Sequence, residues 1–335
     1  MKFYIWRAAP RSLGMRPTEA SRGPRRVPRP ARHAPPRPPI AAADPARAWT
    51  AQLAVRPTEP PEHVFRRLLG AYLAGAREFV VRERPVVRSD TRDVIRSFCR
   101  RTRQPEIVSE DRGVVRLRDL AFENPVPLPQ RIARMGRLVV EFHRDAVDSW
   151  SRLPFGEDGA WERRDDEIDR EAWYIQRLAT LAPDPATTPV LGPFMIARSL
   201  ERIADHAVVL GESGRRLVDL PQSVGPITSL KQFHGQAMHH LEGVLGATDG
   251  AGANDLLDTG EALMASGRAL ADRLLPAVEG GTMPPATAAA IGRILESIGR
   301  TIAYSEDIAQ VVLDRSLPLA APEPRGTARR VLAAA

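Results

Sequence analysis

Two pairs of carboxylates carry the chemistry this sequence offers. Asp165 and Asp169 are four residues apart, and so are Glu201 and Asp205. At 1.5 Å of rise per residue that spacing is ~6 Å along a helix axis, so the members of each pair stand above one another on one face. Glu212 continues the second stripe. If the two helices pack antiparallel, four carboxylates can converge. Like charges that close are unfavourable unless a cation or a proton intervenes. Oxygen ligands in this number suit iron, manganese, magnesium or calcium better than zinc. The same positions also fit a solvated helix face on which Arg198 pairs with Glu201, or Arg202 with Asp205. Spacing alone leaves both readings open.

Other chemistries lack their motifs. The sequence has no Gly-x4-Gly-Lys-Ser/Thr loop, no Gly-x-Ser-x-Gly elbow and no His-Glu-x-x-His stretch, which removes local support for nucleotide hydrolysis, esterase and zincin readings. A carboxylate-bridged metal oxidase is the enzyme competitor, but it needs Glu-x-x-His on two helices. No glutamate here is followed by a histidine three residues later. His206 comes directly after Asp205 and points about 100° away around a helix, a structural position. His234, His239 and His240 fall on different faces of one helix and are expected to be partly exposed. The single cysteine, Cys99, excludes an internal disulfide and any Cys-x-x-Cys site. It lies near an apolar helix face, where a small hydrophobe is expected rather than a reactive thiol.

The elements that position the carboxylates are long amphipathic helices. Met135, Val139, Phe142, Ala146 and Trp150 form one stripe. A second helix, about 158–182, carries Trp161, Ile168, Ala172, Ile175 and Ala179, and Asp165 interrupts its stripe. A third, about 191–213, carries Ile196, Leu200, Ile203, Ala207 and Leu210. After Gly225-Pro226 the pattern recurs three times, through Leu230 to Val244, Leu256 to Leu274 and Ile294 to Val312. The segments 127–216 and 222–316 therefore resemble a duplicated three-helix bundle. Gly267 weakens the middle stripe of the second copy, since a mid-helix glycine costs about 1 kcal/mol against alanine.

A chain of 335 residues exceeds the ~250–300 residues at which single cores stop growing, so more than one unit is expected. Residues 51–122 give a small module in the order α-β-α-β-β. Its elements are a helix over 61–74, a strand at 78–82, a helix opened by Ser89-Asp90, and strands around 107–108 and 114–117. Residues 1–50 hold ten Arg and Lys2 against Glu19 and Asp44, which leaves −2 of the chain's +7 for everything downstream. Ten prolines lie within 7–48. Such a segment buries too little apolar surface to offset chain entropy and is expected to be a disordered tail, as is 317–335. No run approaches the ~18 apolar residues of a membrane span, and no secretory signal is present. A cytoplasmic protein without membrane insertion is expected.

The octapeptide Leu200-Glu201-Arg202-Ile203-Ala204-Asp205-His206-Ala207 is similar to the Leu-Glu-Arg-Ile-Gly-Asp-His-Ala signature of the PhoU family of phosphate-uptake regulators. Asp165-Asp166-Glu167-Ile168-Asp169 resembles the acidic motif of the preceding PhoU helix. The resemblance covers about 130–315 and implies a mainly α fold of two tandem three-helix bundles, here preceded by the small α/β module. It further implies a divalent or trivalent metal, iron among the candidates, on Asp165, Asp169, Glu201 and Asp205. The second half departs from the pattern. Ala303 stands where a glutamate belongs, Asp307 is retained, and Asn254 with Asp258 replaces a carboxylate pair. Asp258 and Asp307 are thus the weaker ligand candidates.

Upstream, Ala71-Tyr72-Leu73-Ala74-Gly75 and Arg134-Met135 resemble the archaeal-type PhoU regulators that begin with an AbrB-like DNA-binding domain, but the AbrB strands and signature are absent and a Pro/Arg tail replaces them. The function implied is a non-enzymatic adaptor that negatively regulates phosphate uptake and signalling. Its implied partners are a phosphate ABC-transporter ATPase and, in bacteria, a sensor kinase; a homodimer is compatible with this role. Two alternatives remain. One is a DNA-binding transcriptional regulator using the Arg-rich tail and the module, and the other is the metal oxidase.

Overall fold

Apolar residues alternate in Ala51, Leu53 and Val55, and they form a strand, β1 (Thr50–Val55), which the sequence reading above does not contain. In this computed structural model the described residues are 49–120, 126–151, 160–181, 191–217, 225–280 and 283–316. Of the tail expected over 1–50, residues 1–48 lie outside them, as does the tail expected over 317–335, while Thr50 already belongs to β1. After β1 come α1 (Pro61–Leu73), β2 (Glu78–Glu83), α2 (Ser89–Arg101), β3 (Pro105–Glu110) and β4 (Val114–Asp119). Proline at the first position suits the start of α1, because its missing N–H would be unpaired there anyway.

β1 runs parallel to β2, with α1 as the crossover, while β4 is antiparallel to both β2 and β3. The strand order is therefore β1-β2-β4-β3. Leu53, Phe79, Val81, Val115 and Leu117 of the sheet pack with Leu68, Tyr72, Ile95 and Phe98 of the two helices. Cys99 lies at the edge of this core, half-buried, and burial pushes its thiol up to about 11. It behaves as the small hydrophobe expected.

Among the described residues six helices follow: α3 (Leu128–Asp148), α4 (Ala160–Thr180), α5 (Leu191–Gly214), α6 (Gly225–Gly246), α7 (Gly250–Glu279) and α8 (Pro285–Ser316), with a short 3-10 turn at Ser149–Ser151. α3, α4 and α5 pack on one another, as do α6, α7 and α8. The two triplets meet chiefly along α5 and α8, and also along α3 and α6. One apolar cluster runs through all six, from Met135 and Phe142 through Ile175, Leu200 and Ile203 to Phe233, Leu270, Ile294 and Ile298. Among the described residues no helix is long and apolar enough to cross a membrane.

The α/β module sits on α4. Trp173 of that helix is 4% exposed and belongs to the module's apolar core rather than to the bundle's. α4 is consequently buried on nearly every side along Ile168–Ala179.

Candidate functional site

Asp165 and Asp169 stand one turn apart on α4, and each is only 1% exposed. On the adjacent α5, Glu201 is 3% exposed and Asp205, one turn further, is half-buried. Asp169 feels the negative charge of both Asp165 and Asp205. Its carboxyl is pushed up to about 7, by burial first and by these like charges next, while Arg101 pulls in the opposite direction. Asp165 and Asp205 thus act on the charge of Asp169, and Glu201 is buried one turn before Asp205 on α5. Glu212, the outer end of the stripe, is exposed.

Asp169 divides its two oxygens. Oδ2 accepts a bond from Arg101 Nη2 at 3.2 Å, and Oδ1 is buried without a hydrogen-bond donor. An orphaned carboxylate oxygen among further buried carboxylates is the donor chemistry a hard cation takes. Among the described residues, no group of three or more His, Cys, Asp or Glu side chains is drawn close enough to hold one. The fit is therefore one of donor type, with the carboxylates standing apart.

Arginines from outside α4 take up much of its acidity, and the sequence reading contains none of them. Arg101, at the end of α2, also donates to Asp166 Oδ1 at 2.8 Å, and its guanidinium lies over the rings of Phe65 and Trp173 at 5.4 and 5.3 Å. Glu171, 2% exposed, accepts bonds from Arg103 on one oxygen at 2.7 Å and from Arg131 on the other at 2.9 Å. Gln104 donates to the Tyr174 hydroxyl at 3.1 Å. Arg177 is fully buried, donates to Asp119 and to the carbonyls of Tyr72 and Ala76, and stacks on the Tyr72 ring. The sequence does hold a trace of this. The unbroken apolar run Ala172-Trp173-Tyr174-Ile175 covers every face of the helix, and a helix apolar all round is buried. The charges flanking that run must then find buried partners.

At the seam between the two triplets, Arg202 donates to the Tyr304 hydroxyl at 3.4 Å, and His206 stacks on the Tyr304 ring at 5.9 Å. Burial pushes His206 down to about 4, which fits the structural position expected of it. His239 is exposed, but the expectation fails for its neighbours: His234 is 4% exposed and His240 2%. Their helix, α6, is covered by α3 on one side and by α7 and α8 on others, so different faces of it meet different neighbours instead of solvent. In the second half, Asp258 and Asp307 are both exposed. Glu306 there is raised by burial first, then by Glu261 and Asp307.

The segment that carries the acidic cluster, residues 132–213, matches the family model described as the PhoU domain. Residues 132–213 thus resemble a PhoU domain. The matched PhoU domain spans α3, α4 and α5 almost end to end. Among solved structures, the phosphate transport system regulatory protein PhoU from Streptococcus pneumoniae is similar at 17% identity, covering 56% of this chain and 91% of that chain, with a TM-score of 0.45. No curated protein matches the chain.

Proposed function

We propose that the chain is a cytoplasmic, non-enzymatic regulator of phosphate transport that restrains phosphate uptake by protein contact. The observation that carries this reading is the PhoU-domain match over α3–α5, which includes both acidic motifs. The partner proposed is the ATPase subunit of a phosphate transporter, with a sensor kinase as a second contact and self-association compatible with either.

The same reading gives Asp165, Asp169, Glu201 and Asp205 a hard cation, iron among the candidates. Once bound, such a cation supplies positive charge that ties α4 to α5. The support is the burial of Asp165, Asp169 and Glu201 and the orphaned Asp169 oxygen.

The test is a tagged pull-down from phosphate-replete cells, with mass spectrometry of what is retained. Recovery of a phosphate-transporter ATPase is expected. Recovery of duplex DNA or chromatin proteins with no transporter component would overturn the adaptor in favour of a DNA-binding regulator.

A further inference from the structure

The two edges of the sheet are built differently. β3, at one edge, opens on Pro105, carries Glu106 and Glu110, and shifts register between Ile107 and Ser109. Proline, charge and a bulge are devices that keep an edge strand from pairing with another chain. β1, at the other edge, has none of them: Thr50-Ala51-Gln52-Leu53-Ala54-Val55 holds no charge, proline or glycine and keeps register with β2 throughout. Its backbone is also turned for pairing. The Trp49 carbonyl accepts from the Arg77 N–H, so the odd residues face β2, whereas the Ala54 carbonyl is turned away and accepts from Arg67. Gln52 and Ala54 therefore present their N–H and C=O groups outward, and both residues are exposed. Among the described residues no strand pairs with them there.

Charge beside this edge selects what can lie along it. Ala51, Leu53 and Val55 turn to the helices, which leaves Gln52 and Ala54 on the open face of the sheet. Arg82, opposite Ala54 in the β1–β2 register, reaches across that face to the Gln52 side-chain oxygen, so its guanidinium lies over β1 beside a neutral partner. On the helix side, Arg67 donates to the Ala54 carbonyl at 3.0 Å and is already paired with Glu59 at 2.9 Å. Glu78, beside Thr50 on the open face, is held by Arg118 at 3.1 Å and by the Thr50 hydroxyl. We propose that β1 is a docking edge at which an extended acidic segment of a partner protein adds as a further strand. Main-chain bonds to Gln52 and Ala54 hold the segment, and alternate carboxylates on the open face meet Arg82. The Ala54 carbonyl has two lone pairs, so it can accept from an incoming N–H while Arg67 stays in place. Two other occupants fit less well. A second copy paired antiparallel about a two-fold axis brings Arg82 of one protomer toward that of its partner, and like charges suppress the pairing. Residues 1–48 of the chain hold ten prolines, which lack the ladder N–H, and an excess of arginine.

The probe is a labelled synthetic peptide of about eight residues, an ordinary strand length, that alternates Glu and Val. Its counterpart alternates Lys and Val. Both are titrated against the full chain by fluorescence anisotropy, and amide exchange across β1 is read residue by residue. The acidic peptide is expected to bind and the basic one not. On saturation the Gln52 and Ala54 amides are expected to slow by about tenfold or more, while those of Ala51, Leu53 and Val55, already facing β2, do not change. Arg82→Glu is expected to weaken the acidic peptide about tenfold, since it replaces an attractive pair by a repulsive one. Ala54→Pro removes an outward N–H at an edge position, where proline is tolerated, and is expected to abolish binding. Binding without slowed exchange at Gln52 and Ala54 would mean charge attraction elsewhere on the surface and would overturn the added strand. So would equal affinity for the two peptides, or no binding of the acidic one. Gln52 and Ala54 amides already as slow as that of Leu53 in the free chain would mean that another part of the chain holds the edge, or a second copy where the protection rises with protein concentration, and either result overturns the proposal. If Ala54→Pro does not fold, a proline at the centre of the acidic peptide makes the same test from the other side, and undiminished binding overturns the strand.

Discussion

His143 and His234 stack between α3 and α6, with ring centroids 5.6 Å apart. His143 Nε2 lies 2.7 Å from the Ile203 carbonyl and therefore carries the proton it donates. Its Nδ1 is then the acceptor for His234 Nε2–H at 3.4 Å. Burial pushes His143 down to about 4 and His234 down to about 3, and the adjacent imidazole lowers His234 further. A histidine with a depressed pKa stays neutral in the fold but takes up a proton in the unfolded chain below about pH 6.5. The stability these neutral rings give is whole above that pH and is lost as pH falls toward 4. For fully buried His143 the amount at stake is on the order of 3 kcal/mol. Denaturant midpoints taken between pH 7.5 and 4.5 should fall in the wild type and fall less in the double variant His143→Gln, His234→Gln. Parallel pH profiles for the two proteins would assign the acid sensitivity to other groups. Neither histidine's burial was legible in the sequence, because His143 needs Ile203 and His234 needs α3, each far along the chain. The carboxylates were legible because their partners in the pattern lie four residues away. Glu171 and Arg177 were not, since Arg103, Arg131 and Asp119 come from other elements.

Periodicity placed α4 and α5 to within about two residues at each end and set an apolar stripe inside each of the other four bundle helices, because each has a face that must be buried. Gly267 is the position where local propensity misjudges the element. Read alone it weakens α7, yet a Cβ built there would stand 2.6 Å from Cζ of Phe233, a buried ring on α6. The glycine lets the aromatic ring close onto the helix backbone. Gly267→Ala gains about 1 kcal/mol of helix propensity but overpacks a site of the kind that costs ~1–3 kcal/mol. A net loss of stability is expected in urea unfolding, and pairing the substitution with Phe233→Leu should recover much of it. A gain in the single variant would show that the ring moves away freely. β1 escaped the sequence reading for a different reason. Its six residues adjoin a Pro/Arg-rich segment, and only their parallel pairing with β2 makes the alternation of Ala51, Leu53 and Val55 a strand.

On the scale of the molecule, two apolar cores share one helix. The bundle core runs through α3 to α8 and the module core lies between the sheet and α1 and α2, while α4 lends Ile168, Ala172 and Ile175 to the first and Trp173 to the second. The duplicated periodicity foretold two three-helix groups, but not that α5 and α8 would be their main seam or that the module would grip α4. Those contacts join residues more than fifty positions apart, which no local pattern encodes. A helix buried in both cores should make them unfold together. Trp173→Ala tests this, because it removes an indole from the module core, a change that typically costs 3–5 kcal/mol, and leaves the bundle stripe of α4 intact. In the wild type, urea unfolding followed by amide exchange in β2 and in α8 should give one common transition. In Trp173→Ala the β2 amides should exchange at lower urea than those of α8. The guanidinium of Arg101 loses one of its two stacking rings in the same variant, so residues 99–104 should be the first to exchange. Coincident transitions in the variant would mean that the arginine contacts of Arg103, Arg131 and Arg177 alone suffice to lock the module to the bundle.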